Sequence, residues 1–312
     1  MVTSLSWRST ACVFFFMIAF KPALAVEPHR LELPVYMKDI KTNSNTDGQL
    51  FGVNFDLGNN KKLRLILDAH LSGLILFRNA PPGVVPNESS FRVIYRGILV
   101  EGFKTRARVN FPDQTHSSAI EIAVATNVKA CCSSSILEEF DGILGLGSSG
   151  TLENPVLRFA RRWIVDLPKH SNKSGRLILN PIGSEVERYS VLKPAYGGFL
   201  VHGCLRAFSQ SLEQCAPTSL DFGSQGIVAY PGGSDPLEDV KRSGYFSISL
   251  DALNGAPVSW EVNYVGIAST HDNQADSDEW SGRQVILDWT LFSDFTLLYD
   301  YDRGTVGMRR RL

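Results

Sequence analysis

One eleven-residue pattern, with an aspartate set among apolar residues, occurs twice in this chain. Residues 67–77 read LDAHLSGLILF, and residues 220–230 read LDFGSQGIVAY. The copies align without a gap, since both begin with Leu-Asp, share an internal glycine, and end in three apolar residues and an aromatic one. Ionised carboxylates are rarely buried unless nearby groups support them. The repeat therefore indicates a functional role for Asp68 and Asp221 and predicts two related structural halves.

Each copy of the pattern is followed later in the chain by a short apolar segment. Residues 140–147 read FDGILGLG in the first half, and residues 285–289 read VILDW in the second. A run of four to eight apolar residues without alternation is typical of a strand buried on both faces. We therefore expect two lobes that meet at a symmetry axis, with a boundary near Gly183-Ser184.

The remaining sequence predicts mainly short strands separated by turns. The clearest helix candidate is Asn154 to Ile164, with Asn154 as the N-cap and Pro155 in the first turn. Little helix and many strands indicate an all-β protein. The predicted strands are 50–57, 63–68, 91–95, 105–111, 119–125, 176–179, 198–201, 245–250, 260–265 and 295–300.

Composition excludes several classes of function. The chain has 312 residues and a formal net charge of -1, so electrostatics gives no reason to expect a nucleic-acid partner. Its six histidines lack HxxxH spacing, and its cysteines lack CxxC spacing, so we expect neither a metal nor another cofactor.

The N-terminus has the pattern of a secretory signal, assigned to residues 1–25. Arg8 precedes the short apolar run Ala11 to Phe20, and Ala23-Leu24-Ala25 fits the small-x-small cleavage rule. No segment is long enough for a transmembrane helix. We expect a mature chain that begins near Val26, is secreted or periplasmic, and has no stable membrane insertion.

Four cysteines remain after signal removal, an even number that favours disulfides in an exported protein. Cys204 and Cys215 could close a short loop just before Asp221. Cys131 and Cys132 are adjacent, and a bond between neighbours would be strained. The sequence leaves the pairing of the four open.

Five segments resemble, in order, the pepsin-like aspartic peptidases. They are residues 65–77, 91–102, 140–147, 219–231 and 285–308. The resemblance covers nearly the whole mature chain, and FDGILGLG is its most specific part. It implies a bilobal pepsin-like acid protease fold of two pseudo-symmetric six-stranded β lobes with a cleft between them. Residues 26–184 would form the N-terminal lobe and residues 185–312 the C-terminal lobe, in a monomer.

The same resemblance implies a catalytic pair, Asp68 and Asp221. Like charges in contact cannot both ionise, so the pair would share one proton and activate a water against a peptide carbonyl. The partner would be a protein or peptide bound in extended form. Tyr95 corresponds to the tyrosine of the flap, and Gly223, Ser224 and His70 are further candidate substrate-binding residues.

The chain departs from the family pattern around both aspartates. Ala69 and Phe222 stand where the family has threonines that tie the two loops together. His70 replaces a glycine, Leu71 replaces a hydroxyl residue, and Asp288 replaces a glycine in the later apolar strand. His70 could act as a cation that lowers the pKa of Asp68, fill the water position, or line the cleft wall. Two functions follow: an exported aspartic endopeptidase, or a catalytically impaired protein that binds or inhibits, for example, secreted hydrolases.

Overall fold

Strands dominate the part of the chain that the computed structural model describes, which confirms the all-β class. The described residues are 30–40, 48–56, 62–78, 89–95, 98–110, 117–130, 136–147, 152–170, 173–195, 199–207, 213–222, 227–230, 245–263, 284–288 and 292–311. The predicted signal segment lies outside these ranges. No helix in them is long and apolar enough to cross a membrane.

The elements follow in chain order. The strands of the first half are β1 (Leu31–Ile40), β2 (Gly48–Asp56), β3 (Lys62–Asp68), β4 (Ser72–Leu76), β5 (Ser90–Tyr95), β6 (Ile98–Asn110), β7 (Ser117–Ala130), β8 (Gly142–Leu146), β9 (Arg162–Asp166) and β10 (Gly175–Leu179). Those of the second half are β11 (Ser190–Val191), β12 (Val201–Ala207), β13 (Glu213–Asp221), β14 (Ile227–Tyr230), β15 (Tyr245–Leu250), β16 (Val258–Asn263), β17 (Gln284–Asp288), β18 (Phe295–Asp300) and β19 (Thr305–Arg310). The short helices are α1 (Ile136–Glu139), the 3-10 helix Pro155–Arg158 and α2 (Gly183–Val186).

Two sheets organise these strands. The larger has the order β11-β19-β18-β9-β10-β1-β2-β3-β8-β4-β7-β6-β5, and the smaller has the order β14-β17-β13-β12-β15-β16. The first six strands of the larger sheet come from both halves of the chain. They join at the antiparallel pair of β9 and β18, in which Trp163 lies opposite Tyr299. A shared sheet therefore connects the halves at their centre.

The repeated sequence pattern folds into the same local arrangement in each half. β3 runs parallel to β8, with Asp68 in register with Gly145, and β4 pairs antiparallel with β8. β13 likewise runs parallel to β17, with Asp221 in register with Asp288, and β14 pairs antiparallel with β17. Each aspartate is thus the last residue of a strand that pairs with the predicted later apolar segment.

Burial explains why several of the central strands are mainly apolar. β4, β8 and β18 are buried at every position. One hydrophobic cluster contains side chains from both halves, such as Leu144 and Leu287. Burial of each such side chain stabilises the fold by roughly 1.5–3 kcal/mol. A core shared in this way holds the ends of β3 and β13 in a fixed relation.

Several local predictions differ from the structure. The helix predicted for Asn154 to Ile164 is only the 3-10 helix Pro155–Arg158, capped by the Asn154 side chain, which accepts from the Val156 N–H. The chain then enters β9, because Trp163, Ile164 and Val165 are paired on both sides by β10 and β18. Tertiary pairing therefore overrides the local helix signal. The predicted strands also omitted β1, β4, β9, β11, β13, β14 and β19, although β1 pairs with both β10 and β2. The strand predicted for 198–201 is observed as β12, Val201–Ala207.

A disulfide joins Cys204 of β12 to Cys215 of β13. These residues lie directly opposite each other in the antiparallel pair, with their Cα atoms 4.0 Å apart. The bond therefore fastens the hairpin whose second strand ends at Asp221. Cys131 and Cys132 lie outside the described residues.

Replacement of both Cys204 and Cys215 by serine is expected to lower the free energy of unfolding. A closed loop with a separation of 11 residues restricts the unfolded chain, and its loss costs about 2–4 kcal/mol. Urea titration of the oxidised protein and of the double variant measures the difference. Dithiothreitol should destabilise the parent to the level of the double variant. A midpoint that is equal in the two oxidised proteins would contradict a stabilising role for this bond.

Candidate active site

Asp68 and Asp221 occupy equivalent positions at the ends of β3 and β13. Their side chains are only 3% and 6% exposed. The negative charge of Asp221 raises the pKa of Asp68, so the two carboxyl groups interact electrostatically. Residues 153 positions apart in sequence are thus brought into one buried acidic site.

Two backbone N–H groups support the Asp68 carboxylate. Its Oδ1 accepts hydrogen bonds from His70 N at 2.8 Å and from Leu71 N at 2.6 Å. Ala69 and Leu71 offer no hydroxyl to this carboxylate, and the loop backbone provides the donors instead. The tendency of aspartate to accept from N–H groups two residues on is a signal that sequence reasoning could have used.

The pKa of Asp68 is raised to about 6 from its usual 3.8. Burial is the largest cause, because it disfavours the charged form, and the charge of Asp221 adds to it. The Leu71 N–H, the positive charge of His70 and the His70 N–H act in the opposite direction. Asp68 therefore keeps its proton through moderately acidic conditions, and His70 limits how far the pKa rises.

His70 is half-buried beside Asp68. Its backbone N–H bonds the carboxylate, and its charge favours the ionised form of Asp68. Three roles were considered for His70. The direction of its effect on the Asp68 pKa agrees with the role of a cation near that acid.

The glycines of FDGILGLG allow β8 to approach the Asp68 loop closely. A Cβ on Gly145 would lie 2.4 Å from the Leu71 carbonyl oxygen, and a Cβ on Gly147 would lie 2.2 Å from that of His70. Gly147 N also donates to the Leu71 carbonyl oxygen at 2.8 Å. Any side chain at either glycine would push away the loop that holds Asp68.

The residues that directly follow the two aspartates, Ala69 and Phe222, pack into the core. Ala69 is 8% exposed and Phe222 is fully buried. Both belong to the large hydrophobic cluster. Ser72, the nearby hydroxyl of the first loop, donates instead to the Leu152 carbonyl oxygen at 2.8 Å. The chain therefore anchors these parts of the two loops by apolar packing and by a link to a neighbouring segment.

Tyr299 is a site residue that the sequence analysis missed. Its hydroxyl donates to the carbonyl oxygen of Leu220 at 3.3 Å. Leu220 is the residue immediately before Asp221. Burial and the charges of Asp221 and Asp68 raise its pKa, so the phenol lies within the field of both carboxyl groups. Nothing in the local sequence of β18 marks its tyrosine as different from a core aromatic.

Of the other predicted site residues, Tyr95 lies at the end of β5, where it is opposite Ile98 in the β5–β6 hairpin. It is 5% exposed and belongs to a second buried cluster, which also contains Ile75 and Phe77. Gly223 and Ser224 lie outside the described residues, as does the side chain of Asp288.

A solved structure with a similar fold is an aspartic proteinase from Irpex lacteus. It matches this chain with a TM-score of 0.59 at 12% sequence identity, over 90% of this chain and 97% of that chain. No family model matches the chain, and no curated protein matches it. At this identity the likeness shows the bilobal pepsin-like fold, as the sequence predicted, and not the roles of individual residues.

Replacement of Asp221 by asparagine is expected to lower the pKa of Asp68, because it removes the second-largest cause of the rise. Carboxyl chemical shifts followed through a pH titration by NMR measure this directly. Asp141→Asn is the matched control. Asp141 directly precedes β8, and its buried carboxylate accepts a hydrogen bond from the backbone N–H of Arg64 in β3. Equal pKa values of Asp68 in the parent and Asp221→Asn would show that the two acids do not interact.

The raised pKa of Asp68 should make the fold less stable as pH rises. Its proton is held more tightly in the folded protein than in the unfolded chain, where the pKa is near 3.8. The stabilisation is therefore fully present below about pH 4 and lost as pH rises through about 6, a change of roughly 3 kcal/mol. Asp68→Asn removes this dependence. Urea titrations at several pH values should give a shallower fall in unfolding free energy for Asp68→Asn, and parallel curves would refute the assignment.

Proposed function

We propose that this chain is an exported pepsin-like aspartic endopeptidase, which hydrolyses peptide bonds of a protein or peptide held in extended form. The observation that carries the proposal is the buried, electrostatically coupled pair Asp68 and Asp221. Two carboxyl groups that share one proton can act as general base and general acid towards the same water and carbonyl.

The raised pKa of Asp68 supports a division of roles in which Asp68 is the acid and Asp221 the base. Below about pH 6, Asp68 carries the proton, and Asp221 takes a proton from the attacking water. The water oxygen bonds to the peptide carbonyl carbon while Asp68 donates its proton to the carbonyl oxygen. When the tetrahedral intermediate collapses, the C–N bond breaks, Asp221 protonates the leaving nitrogen, and Asp68 recovers a proton from the hydroxyl. The pair is then restored.

Substrate binding is assigned to the β5–β6 hairpin and to the loops after the aspartates. β5 is the edge strand of the large sheet, and Ile94 on it is 42% exposed, so an extended peptide can approach there. Tyr95 at the end of this strand fits the flap role. We propose His70, Gly223 and Ser224 as further substrate-binding residues.

The Cys204–Cys215 disulfide supports the exported location, because such bonds persist in oxidising compartments. We propose a mature chain that starts near Val26, is secreted or periplasmic, and acts as a monomer on protein substrates. The formal net charge of -1 favours neither a nucleic-acid partner nor an anionic surface.

A second function, a binding or inhibitor protein without catalysis, is favoured by one observation. Ala69 and Phe222 are packed into the core where hydroxyl groups would otherwise tie the loops together. A dyad displaced by about 1 Å can lose on the order of 100-fold in rate. The fold and its cleft would still be available to bind an extended segment of a partner.

The peptidase proposal predicts cleavage of a denatured protein by the purified mature chain in acid. Activity should be present below about pH 6 and decline as Asp68 ionises. Asp68→Asn and Asp221→Asn should each lower kcat/KM by at least about 100-fold, because each removes a general acid or base. Product formation measured by mass spectrometry across the pH range tests this, with pepstatin as a class-specific inhibitor.

Asp141→Asn serves as the control, since this buried carboxylate lies outside the proposed catalytic pair. It should retain the activity of the parent within a few-fold. Cleavage that persists in Asp68→Asn would be assigned to a contaminant or to another site. A parent that cuts nothing at any pH would rule out the peptidase and favour the binding function.

A further inference from the structure

The segment that leads into Asp221 has a hydrogen-bond partner outside its own sheet. On one side, β17 pairs with β13 as far as Asp221, whereas on the other side β12 pairs with it only as far as Thr218. Leu220, the residue before Asp221, accepts a hydrogen bond from the Tyr299 hydroxyl at 3.3 Å. This side chain therefore binds the β13 backbone at the point where the catalytic loop begins.

Tyr299 is itself held rigidly by aromatic contacts. Its ring stacks on Trp163 of β9 at 5.9 Å between centroids with an interplanar angle of 18°, and Phe199 packs edge-on at 5.1 Å. The side chain is 3% exposed. Because β9 and β18 join the two halves, the position of this hydroxyl is set by the sheet that both lobes share.

A neutral phenol is the appropriate donor in this position. Burial and the charges of Asp221 and Asp68 raise the pKa of Tyr299, so its hydroxyl keeps its proton while Asp68 titrates. It can then donate to a carbonyl oxygen at every pH at which the acids titrate. A hydrogen bond from a fixed ring restricts the backbone more than one from a long, flexible side chain.

We propose that Tyr299 is a positioning residue, whose hydroxyl fixes the backbone before Asp221 and so holds the Asp221 carboxylate against Asp68. Ala69 and Phe222 have no hydroxyl group and cannot form a side-chain hydrogen bond within the loops. Tyr299 provides such a hydrogen bond from β18. The consequence for catalysis rests on the proposed function, but the geometric role concerns the carboxyl pair whether or not it is catalytic.

The variant Tyr299→Phe removes only the hydroxyl and tests the proposal. Tyr189→Phe is the matched control, because Tyr189 is also buried and its hydroxyl bonds the Thr296 hydroxyl at 3.0 Å on the same strand, β18. Both variants should lower the urea midpoint. Only Tyr299→Phe should lower the pKa of Asp68 in an NMR titration, because a less restrained Asp221 raises that pKa less.

In a catalytically active protein, Tyr299→Phe should also lower kcat by about 10- to 100-fold with little change in KM, since misplacement affects the chemical step. Tyr189→Phe should leave both parameters unchanged. An unaltered pKa of Asp68 in Tyr299→Phe would overturn the positioning role. If the parent has no peptidase activity, the proposed function fails, and the pKa measurement still decides the role of Tyr299.

Discussion

Two like-charged carboxyl groups buried near one another impose a cost that the surrounding structure must offset. Desolvation and mutual repulsion both disfavour ionisation of Asp68, and its pKa of about 6 reflects them. The N–H groups of His70 and Leu71 offset part of this cost by donating to its carboxylate. Close approach of the loop to β8 requires glycine at 145 and 147. These glycines therefore allow the loop to take the position in which its N–H groups support the Asp68 carboxylate.

The central part of the large sheet relates the two acids to each other. β9 and β18 bring together the halves of the chain, with Trp163 opposite Tyr299 at the join. Since β3 and β13 each end at an aspartate, a rigid connection between the lobes also fixes the distance between the carboxyl groups. The stacked rings of Trp163 and Tyr299 therefore contribute to the geometry of the site as well as to the core.

Apolar packing replaces loop hydrogen bonds in this protein. Ala69 and Phe222 lie in the shared core, and the polar restraints come from the loop backbone and from Tyr299. A core is close-packed and resists displacement, so it can hold a loop without a hydroxyl bridge. His70 lies beside Asp68, and its positive charge lowers the pKa of that acid.

Elements with local or repeated signals could be predicted from the residues alone. The duplicated Leu-Asp pattern, the apolar segment through Gly145 and the all-β class follow from periodicity and from burial of apolar runs. The end of the 3-10 helix at Arg158 and the place of β1 depend instead on long-range contacts in the folded protein. Strand pairing across long sequence separations outweighs local propensity in such cases. The role proposed for Tyr299 depends on such contacts as well, because a hydrogen bond to a carbonyl 79 residues earlier leaves no local trace in the chain.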